Sequence, residues 1–112
     1  MTNKRRVVIT GMGVISPIGS TLESFWHSLV AGNSGVCKIT RFDASKFSTQ
    51  IAAEVKGFEP TEHLGAKEAR RMDRFTQFAV VAAKQALEDA KLTIDESNAH
   101  RIGVIVGSGI GG

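Results

Sequence analysis

The amino-acid sequence predicts an α/β fold: a layered arrangement with a mixed, largely parallel sheet. Two apolar runs near opposite ends of the chain, residues 5–15 and 101–106, are typical of strands buried on both faces. Between them, two segments carry apolar residues at helical spacing. The resulting order of strand, helix, irregular stretch, long helix and strand fits a parallel sheet. Two strands are too few to complete that sheet, so we expect the chain to be the opening portion of a larger domain.

The N-terminal strand is followed by an amphipathic helix. The strand contains Gly11 and Gly13, which we expect to permit a close approach of another backbone. Ser20 and Glu23 have the spacing of a capping box, and Gly32 is suited to end the helix. The apolar positions of the helix are Leu22, Phe25, Trp26, Leu29 and Val30.

The middle of the chain has weaker patterns than its ends. Residues 33–64 show no sustained periodicity, and only residues 50–55 indicate an extended segment. A stretch of this length predicts functional surface, or a region covered by other parts of the protein. The sequence then predicts one long helix over residues 66–91, whose many alanines indicate close packing on more than one side.

Composition excludes several classes of protein. The 112 residues allow one domain at most, and a hydrophobic share of 42% is too high for a disordered chain. The single cysteine, Cys37, excludes an internal disulfide. The first residues lead into a short strand rather than a signal-type core, so we expect a cytoplasmic protein with no membrane partner.

The glycines at the end of the chain admit two interpretations. Gly107, Gly109 and Gly112 match the G-x-G-x-x-G pattern of a dinucleotide-binding loop, directly after a predicted strand. That loop also needs a following helix and an acidic residue about 20 positions further on, which these residues cannot test. The similar stretch at residues 11–19 fails on context, because its helix begins only near Ser20. A nucleotide-binding domain is therefore one hypothesis, and tight turns at strand ends are the other.

Cysteine and histidine show no pattern typical of catalysis or metal binding. Cys37 has no neighbouring histidine and no strand-to-helix elbow that would expose a thiolate. His27, His63 and His100 lack the spacing of metal ligands. The sequence therefore assigns no catalytic residue, no metal and no cofactor to this chain.

A basic cluster begins the predicted long helix. Four cations recur at three- and four-residue spacing and so share one helical face: Lys67, Arg70, Arg71 and Arg74. Positive charge in the first turns opposes the helix dipole at a cost on the order of a few tenths of a kcal/mol, which indicates an anionic partner. A solvated face is the alternative. Sparse aromatic residues and a net charge of only +3 argue against nucleic acid.

Five segments, in the same order along the chain, resemble the β-ketoacyl-acyl carrier protein synthases. They are "RRVVITGMGVISPIG", "FW..L.AG.SGV", "RFD", "RRMDRFTQFAVVAAKQAL" and "RIGVIVGSGIGG". The combination of Pro17, "KEARRMD" and "GSGIGG" is most similar to the synthase II type of that family. Together the segments cover nearly the whole chain, and their specificity lies in the combination.

The resemblance implies a thiolase-like fold of two similar halves in a homodimer, with residues 1–112 as the N-terminal part of the first half. It implies an acyltransferase of fatty acid biosynthesis. An acyl chain moves from acyl carrier protein to a cysteine, and a decarboxylating Claisen condensation with malonyl-acyl carrier protein then gives a 3-oxoacyl thioester and CO2. The family's nucleophile and histidines lie downstream of the matched segment, so Cys37 and the three histidines inherit no catalytic role.

The resemblance assigns roles to two groups of residues in this chain. Lys67, Arg70 and Arg71 match basic positions at which the family docks the acidic carrier protein. Ile110 matches a residue that lines the acyl pocket. A polyketide-type ketosynthase, or a non-catalytic carrier-protein-binding module, would share these features. We expect the segment alone to be inactive and incompletely folded, because its strands lack partners.

Overall fold

The structure, a computed structural model, describes residues 4–111. In chain order its helices and strands are α1 (Leu22–Val30), β1 (Val36–Lys38), β2 (Ile51–Ala53), a 3₁₀ turn (Pro60–Glu62), α2 (Ala66–Ala69), α3 (Arg74–Asp89) and a second 3₁₀ turn (Ala99–Arg101). β1 and β2 pair antiparallel, with Cys37 opposite Ala52. No helix within this part of the chain is long and apolar enough to cross a membrane.

The N-terminal segment lies along α3 and is held there by polar side chains of the helix. The backbone N–H of Met12 donates to the carboxylate of Asp89 at 2.9 Å, and that of Val14 donates to the side-chain oxygen of Gln85 at 2.9 Å. The amide nitrogen of Gln85 in turn donates to the carbonyl of Ser20 at 2.8 Å. One glutamine therefore ties both Val14 and Ser20 to α3.

Glycine allows the segment to approach α3 closely. A Cβ atom at Gly13 would lie 2.0 Å from the carbonyl oxygen of Ala82, and one at Gly11 would lie 2.3 Å from that of Ala86. Neither distance is possible for a real side chain, so the predicted close backbone approach is confirmed. The alanines of α3 complete the contact from the other side.

Neither predicted core strand forms a strand in the structure. Residues 5–15 and 101–106 pair with no other strand within residues 4–111, and the side chains of Val7 and Ile105 are 94% and 99% exposed. An apolar strand needs neighbours for its backbone hydrogen bonds and a packed layer on each face. The described residues supply neither, so the sheet they do contain is the antiparallel β1–β2 pair rather than a parallel one.

The chain exposes more surface than a compact domain of its size. Its accessible surface is 9381 Å², against about 6,000 Å² for a compact protein of 12.0 kDa. Its radius of gyration is 17.6 Å, against about 13 Å for a compact domain of this length. The buried cluster is correspondingly small and consists of Phe58, Leu64, Ala69 and Val81. Much apolar surface is left open to solvent.

The first helix begins one residue later than predicted. Its N-cap is Thr21, whose hydroxyl accepts a hydrogen bond from the backbone N–H of Ser24, while the Ser24 hydroxyl accepts one from the N–H of Thr21. The predicted pair of Ser20 and Glu23 is therefore wrong, because the extended backbone at Thr21 brings that hydroxyl to the first turn. Gly32 follows the helix with a φ of 70°, as predicted for its end.

The predicted helix over residues 66–91 is broken at residues 70–73. α2 ends at Ala69, and α3 begins after Asp73, whose backbone is extended. A break frees backbone carbonyls that must find other donors when they are buried. The buried side chain of Gln77 supplies these donors: its amide nitrogen donates to the carbonyl of Ala69 at 2.9 Å and to that of Met72 at 3.2 Å.

Candidate functional site

Three of the predicted basic residues lie together at the break between the two helices. Lys67 belongs to α2, and Arg70 and Arg71 follow it in the connecting turn. All three side chains are exposed. Because the helix is broken, these residues and Arg74 do not share one helical face, and that part of the prediction is wrong. The three exposed residues form a basic turn, defined here as Lys67, Arg70 and Arg71.

Arg74, the fourth basic residue, packs inward. Its guanidinium lies 5.0 Å from the ring centre of Phe78 and 5.5 Å from that of Phe58. Its Nη2 donates to the carbonyl of Val55 at 3.1 Å. Burial lowers the pKa of Arg74, the nearby charge of Arg41 lowers it further, and Glu59 acts in the opposite direction. Arg74 thus fastens the chain after β2 to the start of α3.

The aromatic residues beside Arg74 include one of the histidines. Phe58 meets Phe78 edge to face, with ring centres 5.0 Å apart, and stacks on His63 at 5.6 Å. His63 is exposed, and one face of its ring is covered by Phe58. Among residues 4–111, no group of three histidine, cysteine, aspartate or glutamate side chains is arranged to hold a metal ion. Cys37 is a half-buried free thiol on β1.

The C-terminal loop reaches the first turn of α3. A Cβ atom at Gly111 would lie 3.1 Å from Cζ of Phe75, so this glycine and that ring are in contact. Ile110, one residue earlier, is 93% exposed, and the Ser108 hydroxyl donates to its carbonyl at 3.2 Å. The described residues therefore leave Ile110 unenclosed while placing its loop beside the helix that follows the basic turn. Gly112 lies outside the described residues.

Comparison with known proteins identifies the family. The β-ketoacyl synthase N-terminal domain matches residues 4–112. The chain belongs to the β-ketoacyl synthase family. It is 59% identical over 109 residues to 3-oxoacyl-[acyl-carrier-protein] synthase 2 of Coxiella burnetii, a match that covers 97% of this chain and 26% of that protein. It is 53% identical over 112 residues to the synthase 2 of Staphylococcus aureus strain COL, covering 100% of this chain and 27% of that protein.

Solved structures agree with this assignment. The ishigamide ketosynthase/chain length factor superposes with a TM-score of 0.69 and 47% identity, covering 80% of this chain and 22% of that one. A β-ketoacyl synthase from Burkholderia phymatum STM815 superposes with a TM-score of 0.67 and 34% identity, covering 87% of this chain and 24% of that one. The predicted resemblance and the thiolase-like fold class are confirmed. This β-ketoacyl synthase chain spans about a quarter of the length of the curated relatives it matches.

Proposed function

We propose that the full-length protein carrying this chain is a 3-oxoacyl-acyl carrier protein synthase II that elongates fatty acids, and that residues 1–112 open its first thiolase-like half. The observation that carries the proposal is identity of 53% to 59%, over nearly the whole chain, with proteins named synthase 2. The large open apolar surface supports it, since the unpaired runs at residues 5–15 and 102–106 would find their sheet partners in the remainder of such a protein.

The proposed reaction joins two thioesters. An acyl group passes from acyl carrier protein to a cysteine of the enzyme, and malonyl-acyl carrier protein then loses CO2. The resulting carbanion attacks the acyl thioester, giving 3-oxoacyl-acyl carrier protein and the free thiolate. This chain contributes carrier docking and part of the acyl pocket, and we assign the nucleophile and histidines to the remainder of a cytoplasmic homodimer.

The proposal assigns the basic turn to the carrier protein and Ile110 to the acyl pocket. An exposed group of three cations at a helix break attracts an acidic partner over several ångströms and orients it on arrival. The C-terminal loop contacts Phe75 in the first turn of α3, the helix that directly follows the basic turn. This contact favours a pocket that lies close to the docked carrier.

The function is tested by assaying the full-length protein with acyl- and malonyl-acyl carrier protein. We expect one CO2 released for each 3-oxoacyl thioester formed, and none from a protein limited to residues 1–112. Binding of carrier protein without release of CO2 would instead support a non-catalytic carrier-binding module and contradict the proposal.

A second candidate is a ketosynthase of a polyketide-type pathway. The 47% identity to the ishigamide ketosynthase/chain length factor favours it. The two candidates differ in the chains they extend: the first elongates fully reduced acyl chains, and the second accepts chains that retain keto groups. Comparing kcat/KM for saturated and 3-oxo acyl thioesters separates them.

The docking assignment has its own test. Arg70→Glu combined with Arg71→Glu should raise KM for the carrier-bound thioester and make that KM less sensitive to salt. Lys38→Glu combined with Lys46→Glu makes the same change in net charge at exposed positions away from the basic turn, and we expect little effect. Equal effects of the two double variants would remove the assignment.

A further inference from the structure

A cleft of about 440 Å³ separates the segments that leave β1 and β2 from the start of α3. Three cations from separate parts of the chain line it. Arg41 follows β1, Lys56 follows β2, and Arg74 is the first residue of α3. The sequence pattern does not group these residues, because only the fold brings them to one cavity.

Arg41 and Arg74 line the same cleft, and like charges that share one cavity repel each other. Arg74 cannot move away, since Phe58 and Phe78 hold its guanidinium and its Nη2 is bonded to the chain after β2. A fixed cation beside a like charge is a preorganised acceptor for an oxyanion, because an anion placed between the two offsets their repulsion and bonds to both.

Two carboxylates also line the cleft, and both are already engaged. Glu54 accepts hydrogen bonds from the hydroxyl and the N–H of Thr40 at 2.7 and 3.1 Å. Glu59 accepts them from the hydroxyl and the N–H of Thr61 at 2.7 and 3.2 Å. Three cations against these two anions leave a formal charge of +1 on the lining. The cleft therefore retains positive charge for a group that enters from outside.

We infer that this cleft accepts an acidic side chain of the acyl carrier protein and extends the docking surface beyond the basic turn. The identity of the partner rests on the proposed function. Arg74, which lines the cleft, is the first residue of the helix that directly follows the basic turn. An acidic protein bound to that turn thus meets a second positive site with space for a carboxylate.

The test compares Arg41→Glu with Lys46→Glu in the full-length protein. Both residues are exposed and both changes alter net charge equally, but Lys46 lies outside the cleft. We expect Arg41→Glu to raise KM for a carrier-bound thioester roughly three- to tenfold and to weaken its salt dependence. Lys46→Glu should change that KM by less than about twofold and leave kcat/KM for a small thioester that lacks the carrier protein unchanged.

Lys56→Glu provides a second variant in case Arg41→Glu fails to fold. The inference would be overturned if Arg41→Glu and Lys56→Glu both had the same KM for the carrier-bound thioester as Lys46→Glu. Arg70→Glu separates failure of the inference from failure of the proposed function. If only Arg70→Glu raises KM for the carrier-bound thioester, the cleft is not part of the docking surface. If no variant raises that KM, the assignment of carrier docking to the basic turn is wrong as well.

Inorganic phosphate is a further probe, used at constant ionic strength. We expect it to compete with the carrier protein in the parent enzyme and to compete much less in Arg41→Glu. Equal competition in both proteins would place the phosphate elsewhere and count against the cleft as an anion site.

Discussion

The side-chain amide of Gln77 donates a 2.9 Å hydrogen bond to the carbonyl oxygen of Ala69, eight residues earlier in the chain. The same nitrogen donates to the carbonyl of Met72 at 3.2 Å. Gln77 is buried, whereas Arg70 and Arg71, which stand between its two partners in the sequence, are exposed. One buried donor therefore closes the turn that presents the basic side chains to solvent.

Replacing Gln77 by methionine tests this bond in the full-length protein. Methionine keeps the length of the side chain but donates no hydrogen bond, so the carbonyls of Ala69 and Met72 each lose the Gln77 donor. We expect the free energy of unfolding in urea to fall by about 1–3 kcal/mol.

Gln50→Met is the matched control for that substitution. Gln50 is exposed, and its amide donates to Ser45 and Phe47 at 3.4 Å each. The same chemical change should therefore alter stability by less than about 0.5 kcal/mol. Equal losses in the two variants would show that the Gln77 bonds do not contribute to stability.

Gly13→Ala tests the contact between the N-terminal segment and α3. The added Cβ would stand 2.0 Å from the carbonyl oxygen of Ala82, so the segment must move and strain its bond to Gln85. We expect a loss of about 1–3 kcal/mol, measured as a lower melting temperature. At Gly65, which is exposed, an added Cβ meets only a carboxylate oxygen of Glu68 at 3.9 Å, an ordinary contact, and Gly65→Ala should have a much smaller effect. Similar losses at both glycines would contradict the close approach.

The sequence predicted the elements whose determinants are local. α1 follows from apolar spacing and from polar residues at its start, and Gly32 ends it as expected. The predicted strands at residues 5–15 and 101–106 were wrong for the described chain, because a strand depends on distant partners. β1 was missed because three residues are too short to show a period.

The candidate site shows the same division between local and distant causes. Spacing alone indicated a basic group, but it placed Arg74 on the same face as Arg70. Gln77 bridges the break by hydrogen bonds, and the inward-facing Arg74 contacts Phe58 from another segment. A polar glutamine within an apolar helical stripe was the available signal for the helix break. No pattern in the sequence indicated the inward position of Arg74.

The carboxylate of Glu54 provides a prediction about pH. Hydrogen bonds from Thr40, first from its hydroxyl and then from its N–H, lower the pKa of Glu54 below its ordinary value of 4.5. A lowered folded pKa gives stability that is present above the unfolded value and lost as pH falls through the folded one. Thr40→Val should therefore raise the pKa of Glu54 and reduce the loss of stability between neutral pH and acid.

NMR titration of the Glu54 carboxyl carbon in the full-length protein measures this pKa directly. Thr61→Val is the matched control, since the Thr61 hydroxyl bonds to Glu59 at the same distance of 2.7 Å. That variant should raise the pKa of Glu59 and leave Glu54 unchanged. An unaltered Glu54 titration in Thr40→Val would show that the hydroxyl does not hold the carboxylate in its charged form.

Ile110→Phe tests whether the C-terminal loop lines the acyl pocket of the full-length synthase. The contact of Gly111 with Phe75 restrains the loop, so a larger side chain at the neighbouring position cannot simply swing away with its backbone. Overpacking costs about 1–3 kcal/mol, which corresponds to a fall of roughly 5- to 150-fold in kcat/KM for acyl chains that must pass the ring. Shorter chains that end before the ring should keep their kcat/KM, and Ile110→Leu, which conserves volume, should leave all lengths nearly unchanged. A uniform fall for every chain length would mean that the ring disturbs the loop or the docking of the carrier, and Ile110 would then have no role in chain-length selection.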